Sequence, residues 1–228
     1  MKFDYREEGR SVRRTSIIVV FVALTALTPG VGTARQATPP AGAEALGPEE
    51  CRVPPRSPEA ILSVLSTPAS EPGAAGTDVP PGEQRTVASE DEFPTGEPAD
   101  AATAEAAEAV VREFTACFNA RDLFRLFSLV SDDFLRELAA QAGVPAAEEE
   151  LATAAAMQPT PVSESDRQVI LAIRDARVFP DGRVGVVLVG DWLNDEEAPN
   201  STLIVLVQSA DRWLVDAVIM VDPDATDS

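Results

Sequence analysis

One change of period constrains this chain more than any other feature. Between residues 101 and 157 apolar side chains recur at spacings of three and four; after residue 162 they arrive in runs of strand length. The first spacing calls for amphipathic helices packed by a single stripe, and the second for a sheet. Helices followed by consecutive strands give an α+β domain rather than alternating β and α layers.

The helical part reads in four pieces. Residues 101–119 carry the stripe Val110, Val111, Phe114, Cys117 and Phe118. Asn119-Ala120-Arg121-Asp122 is a turn, and Asp122 caps a short helix with Leu123, Leu126, Phe127 and Val130 inward. Ser131-Asp132-Asp133 starts a third helix that runs to about Ala142, with Phe134, Leu135 and Leu138 inward. Gly143 and Pro145 end it. A fourth helix covers about 146–157 before Pro159 and Pro161. Strands follow at 168–178, 183–193, 201–208 and 212–221. Pro180-Asp181-Gly182 and Ala210-Asp211 are tight enough for hairpins, and 194–200 forms a longer acidic loop. The expectation is a four-stranded antiparallel meander packed on helices, in one domain over 99–228.

The N-terminal part has a different character. Residues 1–34 read as a signal peptide: Lys2, Arg6, Arg10, Arg13 and Arg14 precede a 14-residue uncharged apolar run at 15–28. That run suits an export signal better than a membrane span of ~20 residues. Gly32-Thr33-Ala34 offers cleavage before Arg35; an uncleaved anchor over 15–31 is the alternative, and only then would the chain touch a membrane. Residues 35–98 hold 12 of the 19 prolines and 6 of the 13 glycines. Such a composition marks a disordered linker. Within it Ser57 and Pro58 are suited to cap and open a short helix over 57–65, with Ile61, Leu62 and Leu65 on one face.

Charge and missing residues exclude whole classes of function. Net charge is 18 − 38 = −20, which argues against nucleic-acid binding, where phosphate must be neutralised by a basic surface. There is no His, and Lys2 and Tyr5 are the only residues of their kinds. After cleavage the chain would have none of the three. A Ser-His-Asp device then lacks its base, and a Schiff base or P-loop lacks its lysine. Carboxylate chemistry remains. No metal site and no cofactor is expected: Glu148-Glu149-Glu150, Asp195-Glu196-Glu197 and Asp222-Pro223-Asp224 match no calcium loop and read as solvated faces.

The stretch AVVREFTACFNARDLFRLFSLVSDDFLREL resembles the opening of the nuclear transport factor 2-like (SnoaL-like) superfamily. That superfamily opens with a long helix, an N-A-x-D turn and an S/T-D-D/E-F segment. Here these are Asn119-Ala120-Arg121-Asp122 and Ser131-Asp132-Asp133-Phe134. The ending DRWLVDAVIMV is similar to its closing G-x-W-x-I/V strand, with Asp211 in place of the Gly. The resemblance covers about 105–222. It implies helices packed on a curved antiparallel sheet, a cone-like α+β barrel with an apolar pocket. The superfamily hosts dehydratases, isomerases and cyclases beside non-enzymatic binding domains, so fold transfers better than function.

Candidate pocket residues are Phe114, Phe118, Trp192, Trp213 and Asp216. Asp216 is the sharpest, a carboxylate in an apolar strand. Facing the cone, desolvation would make it a general acid or base; the plainer reading pairs it with an arginine such as Arg174. Asp191 reads as a strand-edge charge. Cys51 and Cys117 are a disulfide candidate outside the cytoplasm. The leading expectation is an exported, non-catalytic binding domain for a small apolar ligand or a partner's segment. The alternatives are a carboxylate-only lyase or isomerase acting through Asp216, and a dimerisation module with a filled cone. Unbroken apolar runs at 203–207 and 186–189 leave both sheet faces in need of cover. A homodimer through the sheet is one expected cover, and the proline-rich arm with the 57–65 helix is the other.

Overall fold

The computed structural model describes residues 43–67, 79–80, 82–192 and 199–222, and the expected signal peptide at 1–34 lies outside them. The fold is α+β. Helices α1 (Pro58–Leu65), α2 (Ala101–Ala120), α3 (Leu123–Leu126), α4 (Asp132–Ala142) and α5 (Val144–Ala156) accompany six strands. These are β1 (Gln84–Val87), β2 (Glu97–Pro98), β3 (Gln168–Val178), β4 (Val184–Trp192), β5 (Asn200–Ser209) and β6 (Arg212–Val221). The sheet order is β1-β6-β5-β4-β3-β2.

Local sequence explains the helix starts. Asp100 accepts the Thr103 N–H at 2.8 Å to cap α2, and Ser131 accepts the Phe134 N–H at 3.0 Å to cap α4. Ser57 caps α1 in the same way, with Pro58 at the first helical position. The stripe of α2 packs as its spacing requires: Val111 and Cys117 are fully buried, and Val110, Phe114 and Phe118 lie against the core.

Strands β3 to β6 form the antiparallel meander. The sheet is nevertheless mixed. β1 adds a parallel edge beside β6, pairing Gln84 with Val218 through Val87 with Val221. This corrects the expectation of a purely antiparallel sheet. A parallel neighbour comes by a long crossover; here the crossover is the whole body of the chain, and no local signal announces it. Gly82 enters this edge at φ +77°, where a Cβ would lie 2.7 Å from the Asp133 carbonyl oxygen.

Two apolar layers result. The inner face, with Val184, Val186, Leu188, Ile204, Leu206 and Val215, packs on the helices. The outer face, with Val187, Leu203, Val205, Ala217 and Ile219, is buried under Val79, Val87 and Phe93. Described residues of the chain's own arm, at 79–80 and 82–98, are therefore a cover for this face. The linker expected over 35–98 is corrected for its described parts. Residues 43–57, α1 and 82–98 contribute Leu46, Cys51, Ile61, Val64 and Val87 to buried layers. A fully buried aliphatic side chain stabilises by about 1.5–3 kcal/mol, so each of these anchors contributes to holding a segment with no pattern of its own.

Candidate functional site

The described residues form a buried charge network, a polar cleft that the network helps to line and an apolar cavity against the inner sheet face. The network forms where β6 shifts its register on β5. Val205 pairs with Ala217 but Leu206 pairs with Val215, so Asp216 is the extra residue of a β-bulge. The bulge re-aims its side chain. Asp216 is 2% exposed; its Oδ1 accepts from Ser131 Oγ at 2.7 Å, and its Oδ2 accepts from Arg183 Nη1 at 3.0 Å. Arg183, 5% exposed, also donates Nε to Asp181 Oδ2 at 2.8 Å and Nη2 to the Val79 carbonyl. The Gly82 N–H donates to the Asp216 carbonyl at 2.8 Å. One arginine and one bulge thus tie together the β3–β4 hairpin, the cap of α4, strand β6 and the 79–82 arm.

The network residues Ser131, Asp181, Arg183 and Asp216 form one wall of an open cleft of about 750 Å³, whose other walls include Pro54, Pro55, Arg56, Asp132 and Arg212. Arg56 donates to Asp132 at 2.6 Å across it. On the other side of Arg183, burial raises the Glu83 carboxyl above its ordinary range, opposed by Arg85 and Arg183. Glu90, in the arm, is held below the ordinary range by its hydrogen bonds from Arg174 and then from Ser201.

The apolar cavity lies between α2, α4 and the inner sheet face. It holds about 70 Å³, lined by Phe114, Phe118, Phe127, Phe134, Leu188 and Ile204, with Gln84, Gln168 and Thr202 among its polar members.

The structure brings Phe114 and Phe118 together in this cavity. Asp216 faces the polar network instead, so it is not a cavity carboxylate. Arg174, its suggested partner, binds Glu90 at 2.7 Å and also meets Asp175. Trp213 packs half-buried against the main core and does not line the cavity. The side chains of Asp191 and Trp192 lie outside those described, as do residues 195–197 and 223–224 of the acidic clusters. Cys51 and Cys117 are joined by a disulfide, 66 positions apart in sequence. Sequence reading missed Arg183, whose signal was an arginine at the foot of an apolar strand after Pro-Asp-Gly. It also missed Phe134 as a cavity residue, although the S-D-D-F segment contained it.

Among the described residues no group of three or more Cys, Asp or Glu is arranged to hold a metal ion, and no helix is long and apolar enough to cross a membrane. Comparison with protein-family models, with curated proteins and with solved structures finds no match.

Proposed function

We propose that this chain is an exported, non-catalytic binding domain of the nuclear transport factor 2-like kind. Its cone is nearly filled and keeps one narrow aromatic cavity for a short apolar group, carried by a small ligand or by a partner's side chain. The observation that carries this reading is the state of Asp216. A general acid or base must offer a free oxygen to a substrate proton, yet this carboxylate, 2% exposed at the wall of the polar cleft, has both oxygens taken by Ser131 and Arg183. Residues 35–228 contain no His, Lys or Tyr to replace it.

Size supports a small occupant. Pockets for drug-sized ligands run to about 300–1,000 Å³, and an apolar cavity of about 150 Å³ admits benzene. A space of about 70 Å³ accepts less: a short alkyl end or a branched aliphatic tip. The lyase or isomerase reading would need both a larger cavity and a free Asp216.

Xenon, titrated into the full chain and followed by NMR of the Leu and Ile methyl groups, tests the cavity. Saturable shifts centred on Leu188 and Ile204, removed by Leu188→Phe, support the reading. Shifts spread evenly over the surface, or shifts unaffected by Leu188→Phe, count against it. Export is tested separately by mass spectrometry of the native protein, with an N-terminus at or near Arg35 expected.

A further inference from the structure

Residues 43–57 have no repeating apolar pattern and contain a single short turn, Pro48–Glu50. Nothing within the segment fixes its path, because an isolated turn is unstable in water. It nevertheless runs as a strap across the end of α2 and over α3. Glu44 and Ile170 exchange backbone hydrogen bonds at 2.8 and 2.9 Å. Asn119 Nδ2 donates to the Leu46 carbonyl at 3.1 Å, and Arg125 Nη1 to that of Cys51 at 2.6 Å. Ser128 Oγ donates to the Pro54 carbonyl at 2.7 Å, and the Arg56 N–H to the Phe124 carbonyl at 2.9 Å. Each such bond contributes modestly once exchange with water is counted. The Cys51–Cys117 bond is the covalent cross-link between the strap and α2. Immediately downstream, α1 is anchored independently: Ile61 and Val64 are buried, and Arg136 Nε donates to the Val64 carbonyl at 3.2 Å.

We propose that the strap is redox-gated. It docks when Cys51 and Cys117 are joined and leaves the body when they are reduced, while α1, α2 and the sheet stay folded. Pro54, Pro55 and Arg56 belong to the strap and wall the polar cleft, so oxidation assembles that cleft. The chemistry is thiol–disulfide exchange. The Cys51 and Cys117 thiols give up two protons and two electrons to form their S–S bond, and a disulfide oxidant, whose own S–S bond breaks, becomes two thiols. A dithiol reductant reverses the step. Cys51 is 1% exposed and Cys117 fully buried, so the bond forms with the strap lifted and docking then covers it, and reduction proceeds through local opening of the docked strap. This inference does not depend on what the apolar cavity holds.

Hydrogen exchange of the full chain, oxidised against reduced with a trialkylphosphine, tests it, with alkylation confirming two free thiols. The Glu44, Arg56 and Ile170 amides are expected to exchange at least about tenfold faster on reduction, while those of β4, β5 and β6 change by less than about twofold. Cys51→Ser should reproduce the reduced pattern without reductant. A strap that stays protected after complete reduction overturns the proposal, because its hydrogen bonds then suffice. Loss of sheet protection together with the strap overturns it equally, because the bond then holds the whole fold.

Discussion

The described residues of 43–98 and those of 101–221 are packed into the same molecule by different means. The C-terminal part is held by continuous apolar stripes: Val111 and Cys117 on α2, Leu135 and Leu138 on α4, and facing residues of β4 to β6. The N-terminal part is held by separate fasteners: a disulfide, single hydrogen bonds and the Arg183 network that grips Val79 and Gly82. Composition therefore reports whether a segment can build a core of its own. It does not report whether the segment completes the core of another. A stripe degrades gradually when one residue is changed, whereas a fastener fails as a unit.

The sharpest way to break this contrast is Arg183→Met. It leaves Asp181 and Asp216 buried without their cation and releases the Val79 carbonyl. The expected loss is about 5 kcal/mol in urea unfolding, the upper end for breaking a buried pair. Next is Cys51→Ala in oxidising buffer. Opening a closed loop of this length should remove about 4 kcal/mol, chiefly by freeing the unfolded chain. Ser131→Ala loses both the cap on α4 and the bond to Asp216; about 1–2 kcal/mol is expected in the same assay.

The smallest effect has the opposite sign. Burial raises the Glu83 carboxyl pKa in the folded state. A carboxyl with a raised folded pKa holds its proton more tightly folded than unfolded, so its ionisation opposes folding at neutral pH. Glu83→Gln should therefore raise the melting temperature at pH 7, and the gain should shrink as pH falls through the folded pKa. A scan of melting temperature against pH for both proteins checks the direction.

The body was legible because its signals are local. Helix α2 and strands β3 and β6 follow directly from spacing, Asp122 and Ser131 mark helix starts, and Pro180-Asp181-Gly182 marks a hairpin. Strand β1 was not legible, since its partner Val218 lies 218 − 84 = 134 positions from Gln84 and its own residues carry no strand alternation. Asp216 was legible as an anomaly but not in its role. Alternation along an ideal strand places it with Leu214 and Val218, and the bulge that breaks this alternation leaves no mark in the sequence. Arg183 and Arg174 are alike as sequence features; only the fold puts the first in contact with the bulge and the second in contact with Glu90.

Asp216 ties the bulge to Ser131 and Arg183, and urea unfolding of Asp216→Asn measures what that tie contributes. The amide keeps the shape of the side chain and removes its charge from the bond with Arg183. A loss of about 2 kcal/mol with an unchanged slope against urea is expected, as for a hydrogen bond to a charged group. Stability equal to that of the unaltered chain within about 0.5 kcal/mol would contradict the account, since a carboxylate that can lose its charge without cost is not what holds the bulge.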